Sequence, residues 1–145
     1  MIYTDDHYYL LAYENDTFKH FRIDRMKKVA ILEDMDRNGI EAFNSIDLSS
    51  YTKYTFGMYG GTIKRVTMIF RASLIDVVLD KFGNDVFITE EDKHHFSITV
   101  PIAISPQFFG WVFSLDDGVE ITYPAEVREQ YIKAIENELK RYTKT

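Results

Sequence analysis

Apolar and polar residues alternate through the first part of the chain in a way that predicts strands. Residues 7–13 (HYYLLAY) carry aromatic and aliphatic side chains on both faces and run into Glu14, Asn15 and Asp16, which supply turn chemistry. Residues 17–23 (TFKHFRI) return as the second arm of a hairpin, and residues 26–32 (MKKVAIL) read as a third strand, ended by the polar run EDMDRNG. From about Ile40 to Gly61 the pattern changes. A short helix is expected there, with Asp47 or Ser49 as its N-cap, followed by a turn at the glycines of GMYGG.

From residue 62 onward each element has a clear period. RVTMIFRA sets Val66, Met68 and Phe70 on one strand face. SLIDVVLDKFGND predicts a helix with Ser73 as N-cap, Asp76 completing a capping box and Gly83 just past the end. DVFIT and HFSITVPI predict strands, the second with Phe96, Ile98 and Val100 on one face, and GVEITY predicts another. SPQFFGWVFSL predicts a helix capped by Ser105, with Pro106 at its first position. Pro124 opens a final helix to about Thr143, with Val127, Tyr131, Ile135 and Tyr142 near one face. The order β-α-β-β-α-β-α makes the fold class α+β, its first six elements matching a ferredoxin-like βαββαβ plait with an extra C-terminal helix. Three parts are expected: residues 1–39, a linker with a short helix at 40–61, and a second domain at 62–145. The latter has the element order to fold without the first block. In its aromatic helix Phe109 and Phe113 are expected in the core, while Phe108 and Trp111 are candidates for a partner interface, since four large rings cannot all face one sheet.

Composition narrows the chemistry. With 46% hydrophobic residues in 145, the chain can bury a real core. A net charge of −6 argues against a surface coated for duplex DNA, so any nucleic-acid contact must be local. The absence of cysteine excludes disulfides, thiol catalysis and zinc–cysteine sites. No run of about 18 apolar residues is present, nor a basic N-terminal leader, so a cytoplasmic location without membrane contact is expected. Against this acidic background, Lys19, Arg22, Arg25, Lys27 and Lys28 with the single acid Asp24 make a local charge of +4. Arginine forks fit phosphate oxygens, and Tyr8, Tyr9 and Tyr13 offer ring faces for bases, the combination that single-strand binders use. The plainer alternative pairs Arg22 with Asp24 and buries the tyrosines. Strict alternation sends Arg22 and Arg25 to opposite faces, so they converge only if the chain turns near Asp24.

Other polar groups point to less. Asp5, Asp6 and His7 (DDH) form a weak metal candidate at a charged terminus. EEDKHH at residues 90–95 reads as a polar hairpin loop, whose adjacent histidines face opposite ways. DDG at residues 116–118 is a turn by composition, and GMYGG is a hinge rather than a phosphate loop. No Ser/His/Asp grouping has diagnostic spacing. No catalytic residue, metal or cofactor is expected, and the chain is not expected to be an enzyme. A hydrolase using His94 or His95 is the opposing class.

Three segments carry a family resemblance. YYLLAY at residues 8–13 resembles a Trp-Tyr-Leu signature with Tyr8 in the Trp position; FRIDRM at residues 21–26 resembles the strand pair that follows it; WVFSLDDGVEITYPAEVRE resembles the tail of a C-terminal extension. Their order and spacing resemble the WYL domain with its C-terminal extension, WCX, of bacterial winged-helix transcription regulators, over nearly the whole chain. The resemblance implies that residues 1–39 are the C-terminal part of a WYL domain, with strands of a partial Sm-like small β-barrel, and that 62–145 is the WCX domain. It implies an effector-sensing, dimerising module that binds a nucleotide or single-stranded DNA at Tyr8, Tyr13, Lys19, His20, Arg22 and Arg25. Promoter DNA would be reached only through a DNA-binding domain absent from this chain. A homodimer is expected because three strands cannot close a barrel and leave two edges, which a join containing Gly57, Gly60 and Gly61 could carry across to a neighbour. The alternative is a small-molecule or nucleotide-binding ferredoxin-like module unrelated to DNA control.

Overall fold

The computed structural model describes residues 1–4, 6–56 and 61–144. Among these, two antiparallel sheets and five α-helices make a mixed α+β protein. The N-terminal sheet has the order β1 (Ile2–Thr4), β2 (His7–Glu14), β3 (Thr17–Arg22). The hairpin between β2 and β3 turns at Asn15 and Asp16, both with left-handed φ, which asparagine and aspartate tolerate better than other side chains. The third strand of this sheet is β1, not residues 26–32. Those residues leave β3 through a 3₁₀ turn, Ile23–Arg25, and then run unpaired, with Lys28 at φ 54°. Periodicity alone missed the difference because alternation shows which faces would be apolar and not where the backbone turns out of the sheet, as it does at Ile23–Arg25 and again at Lys28.

The second sheet has the order β5 (Thr89–Asp92), β6 (His95–Ala103), β4 (Ile63–Arg71), β7 (Val119–Tyr123). Its central pair is in register with Val66 opposite Val100, Met68 opposite Ile98 and Phe70 opposite Phe96. These six are the buried face that the period-two reading anticipates, and the rings of Phe70 and Phe96 stack at 5.5 Å. Helices α3 (Ile75–Phe82), α4 (Pro106–Ser114) and the start of α5 (Ala125–Thr143) bring Val78, Phe82, Phe108, Val112 and Val127 onto this core.

The caps divide. Ser105 accepts a hydrogen bond from the Phe108 amide at 3.1 Å, with Pro106 beginning α4, as expected. Ser73 is not a cap, because it lies inside a 3₁₀ turn, Ala72–Leu74, that leads into α3 without a side-chain capping bond. The strand expected at DVFIT begins only at Thr89 and includes Glu90–Asp92 of the expected loop. It pairs with β6 along one side only and is exposed throughout, so acidic side chains suit it and guard an open edge.

The aromatic helix corrects the expectation for its rings. Phe108 is fully buried and cannot serve a partner surface, whereas Phe113 is 69% exposed. Trp111 is half-buried among Phe56, Phe70 and Phe82, at ring separations of 5.3, 6.2 and 5.7 Å. Phe109 packs at the core's margin against Tyr131. The helix is rotated so that Phe108 and Val112, four residues apart, point straight at the sheet. In α5 only the first turns are covered: Val127 and Tyr131 pack, while Ile135 and Tyr142 are exposed.

The join is also more than a spacer. Helices α1 (Ile40–Asn44) and α2 (Leu48–Tyr54) occupy it, α2 starting right after Asp47. Phe56 then enters the second core, stacked on Phe108 at 5.2 Å, with the Lys81 ammonium over its ring and donating to the Thr55 carbonyl at 2.7 Å. The expected glycine turn and hinge at 57–60 lie outside the described residues, as does Asp5 of the DDH group.

Candidate functional site

Register assigns each candidate residue to a face of the N-terminal sheet. Tyr9 lies opposite Arg22, Leu11 opposite His20 and Tyr13 opposite Phe18 on one face; Tyr3 opposite Tyr8, Leu10 opposite Phe21 and Ala12 opposite Lys19 share the other. The six residues expected to form one site are therefore divided. His20, Arg22 and Tyr13 lie on the first face, Tyr8 and Lys19 on the second, and Arg25 in the turn beyond β3.

The first face is already occupied. His20 Nε2 and the Tyr51 hydroxyl from α2 share a hydrogen bond, and burial pushes the Tyr51 phenol up. Tyr13 packs against Gly39, where even a single added carbon would lie 2.5 Å from its ring; its hydroxyl donates to Asp16. Arg22 is half-buried and gives two charge-assisted bonds to Asp24, Nε to Oδ1 at 3.1 Å and Nη2 to Oδ2 at 2.6 Å. Those bonds, reinforced by the charges of Arg22, His7 and Arg25, hold the Asp24 carboxyl below the ordinary range despite some desolvation. The pairing of Arg22 with Asp24, weighed from the sequence as the plainer alternative, is the arrangement found.

The second face is open. Tyr3 and Tyr8 lie 4.8 Å apart in a tilted pair, and both are more than half exposed. Leu10 and Phe21 continue the row, exposed as well. Lys19 stands at its end, paired with Glu14 at 2.8 Å, and Arg25, Lys27 and Lys28 follow β3 at the surface. Ring faces beside exposed cations suit a planar, anionic ligand. Sequence reasoning missed Tyr3 and Phe21. The signal was there in the period: Phe21 is two residues from Lys19, and Tyr3 is found only once β1 is placed opposite Tyr8.

Elsewhere, Asp92 accepts from the His94 amide at 2.7 Å and from His95 Nδ1 at 2.9 Å, the first of which chiefly holds its carboxyl below the ordinary range. A group held low in the folded state contributes stability above its unfolded pKa and loses it as acid protonates it. Asp92→Asn should therefore lower the melting temperature at neutral pH, where the charged carboxylate makes its contribution, and flatten the acid limb of the profile below about pH 4, where the unsubstituted chain loses that contribution anyway. A melting temperature unchanged at neutral pH, with the acid limb as steep as before, would show that the Asp92 contacts contribute no stability. Among the described residues no group of three or more His, Asp or Glu could hold a metal, and no helix is long and apolar enough to cross a membrane.

The described residues thus make a mixed α+β chain with a well-packed second sheet and a smaller sheet that leaves one aromatic face open. Residues 63–137 match the family model for the WCX domain, and the chain belongs to that family. Membership implies a regulatory module of WYL-type transcription regulators. No curated protein matches the chain.

Proposed function

We propose that this chain is the effector-sensing and dimerising part of its regulator, that its ligand is a nucleotide or single-stranded DNA, and that it has no catalysis of its own. The second unit's strand order, with its first and third strands central and antiparallel, supports reading it as a ferredoxin-like plait. The small sheet is read as part of a WYL barrel. The observation that carries the ligand is the exposed row of Tyr3, Tyr8 and Phe21 beside Lys19, with Arg25, Lys27 and Lys28 following. Bases stack on such rings without sequence preference, and phosphates meet the cations.

Fluorescence anisotropy with a short labelled single-stranded oligonucleotide tests this. Affinity is expected to fall steeply with salt. Tyr8→Ala should cost about 1–3 kcal/mol, as for a lost stacking platform, and Arg25→Ala about 1.5–3 kcal/mol, as for a lost charge-assisted bond. Arg22→Ala, which removes an ion pair on the opposite face, should cost less than half as much. Binding that depends on Arg22 and ignores Tyr8 would move the site to the first face. No binding of any nucleotide would end the proposal.

A further inference from the structure

The residues that leave β3 have the sequence of a strand and no sheet. Val29, Ala30, Ile31 and Leu32 stand in a row, and the three large ones are 75, 90 and 68% exposed. Single exposed apolar residues are ordinary, but a consecutive run of this kind is not. Lys28 takes a left-handed φ of 54° just before them, a conformation that costs a residue with a Cβ, and the chain pairs with nothing there among the described residues. β3 meanwhile has one free edge, since the order β1-β2-β3 leaves one side of Thr17–Arg22 without a neighbour among the described residues. Such an edge displays a row of unpaired amides and carbonyls that templates another strand.

We propose that residues 29–32 of one copy add as a short antiparallel strand to the β3 edge of a second copy, and the reverse, in a two-fold dimer. This rests on the dimer reading above and gives it a surface. The donor, Val29–Leu32, is short enough to lie wholly along β3, which has 6 residues. The donor carries β-branched residues and no proline or glycine, as a ladder requires. The 3₁₀ turn Ile23–Arg25, closed by the Met26 amide on the Ile23 carbonyl at 3.2 Å, and the reversal at Lys28 keep the segment off its own β3 and serve as the hinge. Exchange then makes between copies the ladder that a simple hairpin would make within one. Alternation puts Val29 and Ile31 on one side of the added strand. Set beside Phe21 and Leu10, they extend the open row with apolar side chains of the partner copy.

The chain has no cysteine, so introduced thiols report only on themselves. Ile31→Cys chains are mixed in turn with Thr17→Cys, Lys19→Cys and Phe21→Cys chains under mild oxidation. One mixture should give a disulfide-linked species of twice the chain mass that neither variant gives alone. Val29→Asp with Ile31→Asp should weaken the dimer at least tenfold by light scattering while the melting of the second unit stays unchanged. A dimer that survives the aspartates and gives no mixed disulfide overturns the strand exchange but leaves the dimer. A disulfide seen only within a doubly substituted chain shows that the segment closes on its own β3, which also overturns it. A mass near 17.1 kDa at high micromolar concentration overturns exchange and dimer together.

Discussion

Phe108→Ala is expected to lower stability by about 3–5 kcal/mol, while Phe113→Ala, five residues on in the same helix, changes it by no more than about 0.5 kcal/mol. The two side chains are identical and differ only in surroundings. Phe108 is fully buried, touches Phe56 and Phe109 as rings, and sits in the turn whose amide Ser105 caps. Truncation removes its transfer energy and leaves a cavity lined by rings that cannot easily close it. Phe113 is 69% exposed and leaves nothing behind. For a unit of this size each kcal/mol moves the midpoint by about 4–8 °C, so thermal melting should separate the two variants by well over roughly 10 °C. Equal midpoints would mean that α4 is rotated from the orientation described.

A chain beginning at residue 48 should unfold cooperatively, and one beginning at residue 61 should not. The sequence pattern puts every element of the second unit after residue 62 and so expects the shorter fragment to suffice. The core says otherwise. Phe56 is 5% exposed and lies against Phe82, Phe108 and Trp111. Tyr54 stacks beside Phe82 at 6.4 Å, and Lys81 loses both the Phe56 ring and the Thr55 carbonyl if the cut falls at residue 61. Loss of one buried ring alone costs about 3–5 kcal/mol, against a typical total of about 5–15 kcal/mol. The short fragment is left with little margin, and the longer one keeps α2, Thr55 and Phe56. Circular-dichroism melts of both decide it: matching cooperative transitions would show that Phe56 fills space the unit does not need filled.

Several features were legible in the residues because they depend on neighbours in the chain. The alternation of Val66, Met68 and Phe70, and of Phe96, Ile98 and Val100, fixes which face of each strand is apolar wherever the strand goes. Ser105 with Pro106 starts a helix through bonds that span only three residues. The turn at Asn15–Asp16 is local in the same sense. The family resemblance in the second half worked for a related reason, since the spacing of whole elements is preserved in the sequence and residues 63–137 match the WCX model.

What the tertiary structure decided is everything that needs a second surface. A helix with four large rings has no preferred direction of its own; the sheet selected Phe108 and Val112 and left Phe113 in water. Arg22 was a candidate for an external anion until the turn after β3 placed Asp24 where it accepts two hydrogen bonds from the guanidinium. Tyr13 and His20 looked available until Gly39, and Tyr51 from the join, covered that face. Residues 26–32 have strand composition, yet the turn at Ile23–Arg25 and the left-handed Lys28 carry them out of the sheet. The sequence by itself determined periods, caps and the local excess of positive charge. Which face is free to bind, and which ring is core, followed only from long-range packing, because burial is a property of pairs of elements and no single stretch of chain contains both members.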